Sequence, residues 1–167
     1  ELYKVRNIRP SFKWGFWRAL FYSAIDTFVF RGKAPWTLNH HGTDHTSVEN
    51  KKDHKKIEYP KPDGIISFDR LTNISFSGTN HEENQPCHLT LKDKKIPIDV
   101  NLEKYDSPET RYCPAGVYEI VINDNKPELQ INAQNCVHCK CCSLKMPNEY
   151  IDWTVPEGGG GPAYHVM

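Results

Sequence analysis

An α+β body of short elements, preceded by one aromatic amphipathic helix, is the architecture this sequence predicts. Three observations predict it. Twelve prolines and ten glycines in 167 residues, against two methionines, cut the chain into short segments joined by turns rather than into a helical bundle. Eight of the nineteen aromatic side chains fall between Phe12 and Phe30, a span of helical length. Two β-rich runs, Val117 to Ile122 and Glu128 to Ile131, flank the turn signal Asn123-Asp-Asn-Lys-Pro127 and predict a hairpin.

Length and charge narrow the classes. With 167 residues and 38% apolar composition, the chain suits one domain with a real core and a smaller appendage. Lysine plus arginine equal aspartate plus glutamate at 21 each, so no positive field gathers phosphate backbones and nucleic acid is excluded as a partner class. The chain opens on Glu1 rather than methionine, and we expect a piece of a longer protein.

Along the aromatic span, Trp14, Trp17, Phe21, Ile25 and Phe28 recur at intervals of three and four, with Ala19, Ser23 and Asp26 opposite. Lys13, Arg18, Arg31 and Lys33 flank or follow the apolar face, where long stems can lie on lipid while their charges reach headgroups. Those charges disfavour a spanning helix, so a helix lying on the membrane surface is the expectation, with packing on the protein's own body as the alternative. Residues 32–56 turn polar and read as an exposed connector whose His40, His41 and His45 are solvated rather than metal-bound. The turn cluster Pro60-Lys-Pro-Asp-Gly64 introduces an ordered body, placed from residue 57 to 167, with 1–56 as the helix and connector. Within it, His88 to Lys92 alternates as a strand and predicts a hairpin with Ile96-Pro-Ile98, and Ile151 to Val155 predicts a last strand. Gly158 to Gly161 lacks the lysine and hydroxyl residue of a phosphate loop and reads as flexible coil.

The cysteines carry the chemistry. Four of six crowd into positions 136–142, where disulfides between near neighbours are strained, so a reduced, metal-loaded site fits better than a disulfide framework. Cys136, Cys139 and Cys142 recur every third residue, which lets three thiolates converge on one cubane. In bacterial ferredoxin runs the next cysteine precedes proline and serves the other cluster of a pair. Met146-Pro147 stands there instead, while Cys113-Pro114 is the one Cys-Pro in the chain and supplies the fourth thiolate. The prediction is a single [4Fe-4S] cluster on Cys113, Cys136, Cys139 and Cys142 in a small ferredoxin-like iron–sulfur domain, acting as a one-electron carrier. The hairpin between Cys113 and Cys136 brings those two cysteines to one end. A four-cysteine zinc module is the competing use of the same thiolates, but zinc sites pair two short knuckles rather than repeat a C-x2-C-x2-C triplet. Cys87 and Cys141 break the spacing and read as spare thiols. His138 reads as a bystander, since Rieske centres need two histidines. Lys140, Lys145 and Arg111 are the cations expected to raise the cluster's potential.

Beyond these features the sequence resembles the C-terminal part of the electron transfer flavoprotein-ubiquinone oxidoreductase family. The resemblance rests on Glu1 to Pro10, Pro35-Trp-Thr-Leu38, Ile57 to Gly64, Ser77-Gly-Thr-Asn-His81, Arg111 to Tyr118, Gln134 to Cys139 and Val155 to Tyr164, which cover the chain nearly end to end. It implies the same four cluster cysteines, a monotopic membrane surface at the aromatic helix, and residence at the matrix side of the mitochondrial inner membrane. It also implies electron transfer flavoprotein and ubiquinone as partners, an electron-transferring-flavoprotein dehydrogenase activity, and an FAD whose domain lies outside these residues, so that this chain is inactive alone. The alternative is a truncated relative acting as an accessory subunit of a respiratory assembly.

Overall fold

The computed structural model describes residues 1–39 and 42–164. His40 and His41 lie outside the described residues. Two compact units divide the chain, Glu1–Gly42 and the part from Thr43 onward.

In the first unit, α1 (Ile8–Ser11) runs into a 3-10 turn (Phe12–Trp14), Gly15 follows at φ 90°, and α2 (Phe16–Ala24) leads into a π turn (Ile25–Val29). The continuous helix expected over the aromatic span is therefore broken, at the one residue there that takes a left-handed φ without a Cβ penalty. Ala19 and Asp26 are buried on one side, while Trp17, Phe21 and Phe28 are 78, 70 and 79% exposed. The chain returns along residues 32–38 and is clamped by polar groups. Arg6 donates through Nη1 to Gly32 O at 3.0 Å and through Nη2 to Ala34 O at 2.6 Å. Asn7, fully buried, donates to Trp36 O at 3.2 Å and accepts from the Leu38 N–H at 2.8 Å. Each bond satisfies a group that burial would otherwise leave unpaired.

The second unit is α+β, as expected: short helices around two small antiparallel sheets. α3 (Arg70–Phe76), not expected from the sequence, is capped by Asp69, whose carboxylate accepts from the Leu71 and Thr72 N–H groups at 3.0 Å. β1 (Leu89–Leu91) pairs with β4 (Ile151–Trp153), Leu89 opposite Trp153 and Leu91 opposite Ile151. The hairpin expected from His88 to Ile98 is thus corrected: its second arm is helical, with a π turn (Pro97–Leu102) passing into α4 (Glu103–Tyr105). Pro97 cannot donate to a ladder but fits the first turn of a helix. Asp106 at φ 58° stops α4, and α5 (Glu109–Tyr112) delivers the chain to Cys113. β2 (Tyr118–Asn123) and β3 (Lys126–Ile131) form the predicted hairpin, closed by Asp124 and Asn125 at φ 49° and 60°. Two consecutive left-handed residues of this type match the right-handed strand twist.

α6 (Cys141–Lys145) follows the cysteine loop. The glycine run is held rather than free, because Asn80 and Gly161 exchange backbone hydrogen bonds at 3.0 and 2.6 Å. The stretch before residue 57 is also engaged, with Lys51 Nζ 2.9 Å from Leu102 O and Lys145 Nζ 2.9 Å from Ser47 Oγ. One core gathers Leu89, Val117, Tyr118, Met146, Tyr150 and Ile151 around Cys113, Cys136 and Cys142.

Candidate metal centre

Cys113 ends α5 with an extended backbone at φ −71°, ψ 116°. Arg70 Nη1, donating to Thr110 O at 2.9 Å and Cys113 O at 3.0 Å, pins that turn to α3. From the other side, the Asn132 N–H donates to Val117 O at 2.7 Å, so the two ends of the β2–β3 hairpin are drawn together. Cys136 then leaves a 3-10 turn (Ala133–Asn135). Between the next cysteines, His138 and Lys140 stand at φ 57° and 58°. A left-handed conformation costs a residue with a Cβ roughly 1–2 kcal/mol, so this loop is held by its surroundings and not by its own preference.

The result is one small cavity whose wall includes the buried Cys113, Cys136 and Cys142, the half-buried Cys141 and the exposed Cys139. Leu89, Val117, Tyr118 and Trp153 complete its apolar side. All six cysteines are free thiols. Cys87 does not line the cavity and donates instead to Leu89 O at 3.2 Å. Cys141 is half-buried on the wall, beside Cys139, and its thiol is held above the usual range by burial first and by that neighbour second. Sequence spacing alone had set it apart from the site.

The electrostatics ask for a cation. Burial pushes the Cys136 thiol up to about 11, with the facing Cys142, Cys139 and Cys113 adding to the rise. Several thiolates there would outnumber the one nearby cation, Lys140, and iron or zinc would supply the balancing charge. Tyr118 carries the second signal. Its hydroxyl is buried without an acceptor, and its proton is held by burial first and then by the neighbouring Cys142 thiol. A metal-bound Cys142 sulfur would accept that proton in a hydrogen bond. The donor set therefore fits a cluster held by four thiolates, with an orphaned donor ready for it.

Met146, at the place of a second-cluster ligand, is 1% exposed and receives Asn101 Nδ2 at 3.4 Å and the Tyr112 hydroxyl at 3.5 Å on its sulfur. It packs as core. Of the three expected cations, only Lys140 lines the cavity, its Nζ 4.4 Å from the centroid of Trp153. Arg111 is committed to Asp106 at 2.8 Å and Lys145 to Ser47. His45 Nδ1 lies 3.6 Å from Glu149 Oε1 and joins no ligand cluster among the described residues. In the first unit, Trp14 is 39% exposed and Ile25 half-buried, so Trp17, Phe21 and Phe28 make the most open part of the aromatic face. Among the described residues no helix is long and apolar enough to cross a membrane.

The family described as "Electron transfer flavoprotein-ubiquinone oxidoreductase, 4Fe-4S" matches residues 64–165. Curated relatives bearing the name electron transfer flavoprotein-ubiquinone oxidoreductase, mitochondrial, align over the whole chain. Those of Sus scrofa and Homo sapiens are 56% identical over 171 residues, and that of Arabidopsis thaliana is 52% identical over 168. The chain spans 28% of the first two and 26% of the third, little more than a quarter of their length.

Proposed function

Because this chain belongs to the 4Fe-4S family of electron transfer flavoprotein-ubiquinone oxidoreductase, we propose that its second unit holds one [4Fe-4S] cluster on Cys113, Cys136, Cys139 and Cys142. A cluster of this kind exchanges single electrons. The larger enzyme, in this proposal, passes electrons from reduced electron transfer flavoprotein to ubiquinone at the matrix side of the mitochondrial inner membrane. FAD belongs to the part of that enzyme outside these residues, and the cluster domain occupies residues 57–167.

One observation carries the proposal: four cysteines from two segments separated by a hairpin meet at a single cavity. The protein's own contribution is to hold and insulate. α5 and the Arg70 clamp set Cys113, and the Tyr118 hydroxyl faces Cys142. Leu89, Val117 and Trp153 shield the buried Cys113, Cys136 and Cys142 from water, which strengthens the interactions there. Lys140 supplies the nearby positive charge. The exposed Trp17, Phe21 and Phe28, with Trp14 and Ile25 beside them, seat the first unit on the membrane surface near the quinone's entry.

Alanine replacements test the ligand set. Each of C113A, C136A, C139A and C142A should abolish the brown absorbance of anaerobically reconstituted protein, while C87A and C141A should keep it. Loss of the cluster in C141A with retention in C142A would overturn the register.

A further inference from the structure

Outside the cysteine cavity, three histidines from three separate segments converge. His81 follows the Asn80–Gly161 bridge, His88 precedes β1, and His138 sits in the cysteine loop. One ring nitrogen from each lies within 4.8 Å of the other two. His81 and His88 are 4 and 3% exposed. We propose that His81, His88 and His138 form a site for one divalent transition-metal ion of the zinc class, separate from the four cysteines and held by three neutral imidazoles.

Three features make this a built site rather than a chance packing of rings. First, His81 Nδ1 lies 3.1 Å from Gln134 O, an acceptor only, so Nδ1 carries the proton and Nε2 presents a lone pair. A backbone carbonyl on the far ring nitrogen is the arrangement that orients metal-bound imidazoles. Second, His88 Nε2 is buried with no hydrogen-bond partner. Buried polar atoms are rarely left so, and a bound ion gives this one its use. Third, the walls hold the rings in place. The His88 and His138 rings lie against Trp153, at 5.6 and 5.7 Å between centroids. Gly161 packs so closely that a Cβ there would stand 2.7 Å from His138 Cε1.

The donor set selects the ion. Nitrogen donors without a carboxylate suit zinc and its neighbours, not calcium or magnesium. Zinc–nitrogen bonds of about 2.0–2.1 Å place tetrahedral ligands roughly 3.4 Å apart, inside the 4.8 Å that now bounds the three nitrogens and a small opening of the His81–His138 pair. His81 Nε2 and His138 Nε2, now 2.9 Å apart, share one proton. Since His81 Nε2 is the acceptor, His138 Nε2 is the donor. When the ion takes that proton's place, His138 carries it on Nδ1 instead, so all three rings stay neutral and no proton is released. A fourth position is left to water, and an open cleft lined by Glu83, Gln85, His88 and Gln134 borders the triad.

The test is zinc binding by the cluster-loaded chain, desalted after equilibration with one equivalent of zinc. X-ray absorption at the zinc edge should show nitrogen or oxygen neighbours only, at about 2.0 Å, with one zinc retained per chain. H88F, which keeps the aromatic packing, should bind at least tenfold more weakly while its cluster absorbance is unchanged. H81Q provides a second variant with the same expectation. No retained zinc in the unmutated protein, sulfur neighbours at about 2.3 Å, or undiminished binding in both variants would overturn the site. A chain that takes up no iron would show sulfur-bound zinc at the cysteines, an outcome distinct from an absent nitrogen-bound ion.

Discussion

Replacing Trp17 and Phe21 together by aspartate should release the protein from membranes and leave the cysteine centre intact. In the structure these side chains are 78 and 70% exposed. A large aromatic offers roughly 200 Å² for burial, so the pair exposes roughly 300 Å². At about 25 cal/mol per Å², complete transfer from water is worth about 7 kcal/mol, and seating half of it at an interface is worth about 3–4 kcal/mol. Two carboxylates facing anionic headgroups add a cost of about 1 kcal/mol each. The total of about 5 kcal/mol corresponds to a loss of more than about a thousandfold in partitioning. Flotation with liposomes rich in anionic lipid, scored on cluster-loaded protein, measures it. Floating wild type, non-floating double aspartate and equal brown absorbance are expected. Retained flotation in the variant would refute the membrane face, and so would flotation lost together with the absorbance, because the helix would then be a structural support.

Further outcomes follow from the second unit. Glu109 is fully buried, accepts the Tyr150 hydroxyl at 2.8 Å on Oε1, and its carboxyl is pushed above the usual range by burial. The unfolded chain gives up that proton at an ordinary carboxyl pKa, so the wild type loses stability as pH rises from there through the raised folded value. E109Q keeps an acceptor without ionising, so denaturant midpoints should show it gaining on the wild type from pH 5 to pH 8. Y150F leaves that carboxyl without its donor and should cost about 1–2 kcal/mol in the same assay. R70M removes the charged donor that ties Thr110 O and Cys113 O, and should cost about 2 kcal/mol and speed cluster loss to a chelator. N125G, at φ 60° in the hairpin turn, should stabilise by up to about 1 kcal/mol, visible as a higher thermal midpoint.

What the sequence made legible was local. The hairpin of β2 and β3 is encoded within fourteen residues, by a left-handed Asp-Asn turn between alternating strands, and so could be read directly. The partner of β1 could not. β4 lies some sixty residues away, and nothing in Leu89 to Leu91 names Ile151 to Trp153 over the nearer Ile96 to Ile98 until Pro97 turns the chain helical. Gly15 shows the same limit in the first unit: periodicity marks the aromatic face but not the residue where the helix breaks. At the candidate centre, thiol spacing is a sequence property, whereas Tyr118 and the His81, His88 and His138 group are products of tertiary folding. Their only trace in the sequence was an isolated histidine beside a strand and another between two cysteines. Cys141 illustrates the difference most clearly, since its spacing excludes it from the triplet while the fold sets it on the same wall.

Iron and acid-labile sulfide, counted on the same anaerobically reconstituted sample whose reduced-state paramagnetic resonance is recorded, test the central claim most directly. Four iron and four sulfide per chain, a broad brown absorbance and a signal on one-electron reduction are the predicted result, each a property of a single cubane on four thiolates. A colourless protein with stoichiometric zinc bound to sulfur and no signal on reduction would contradict it.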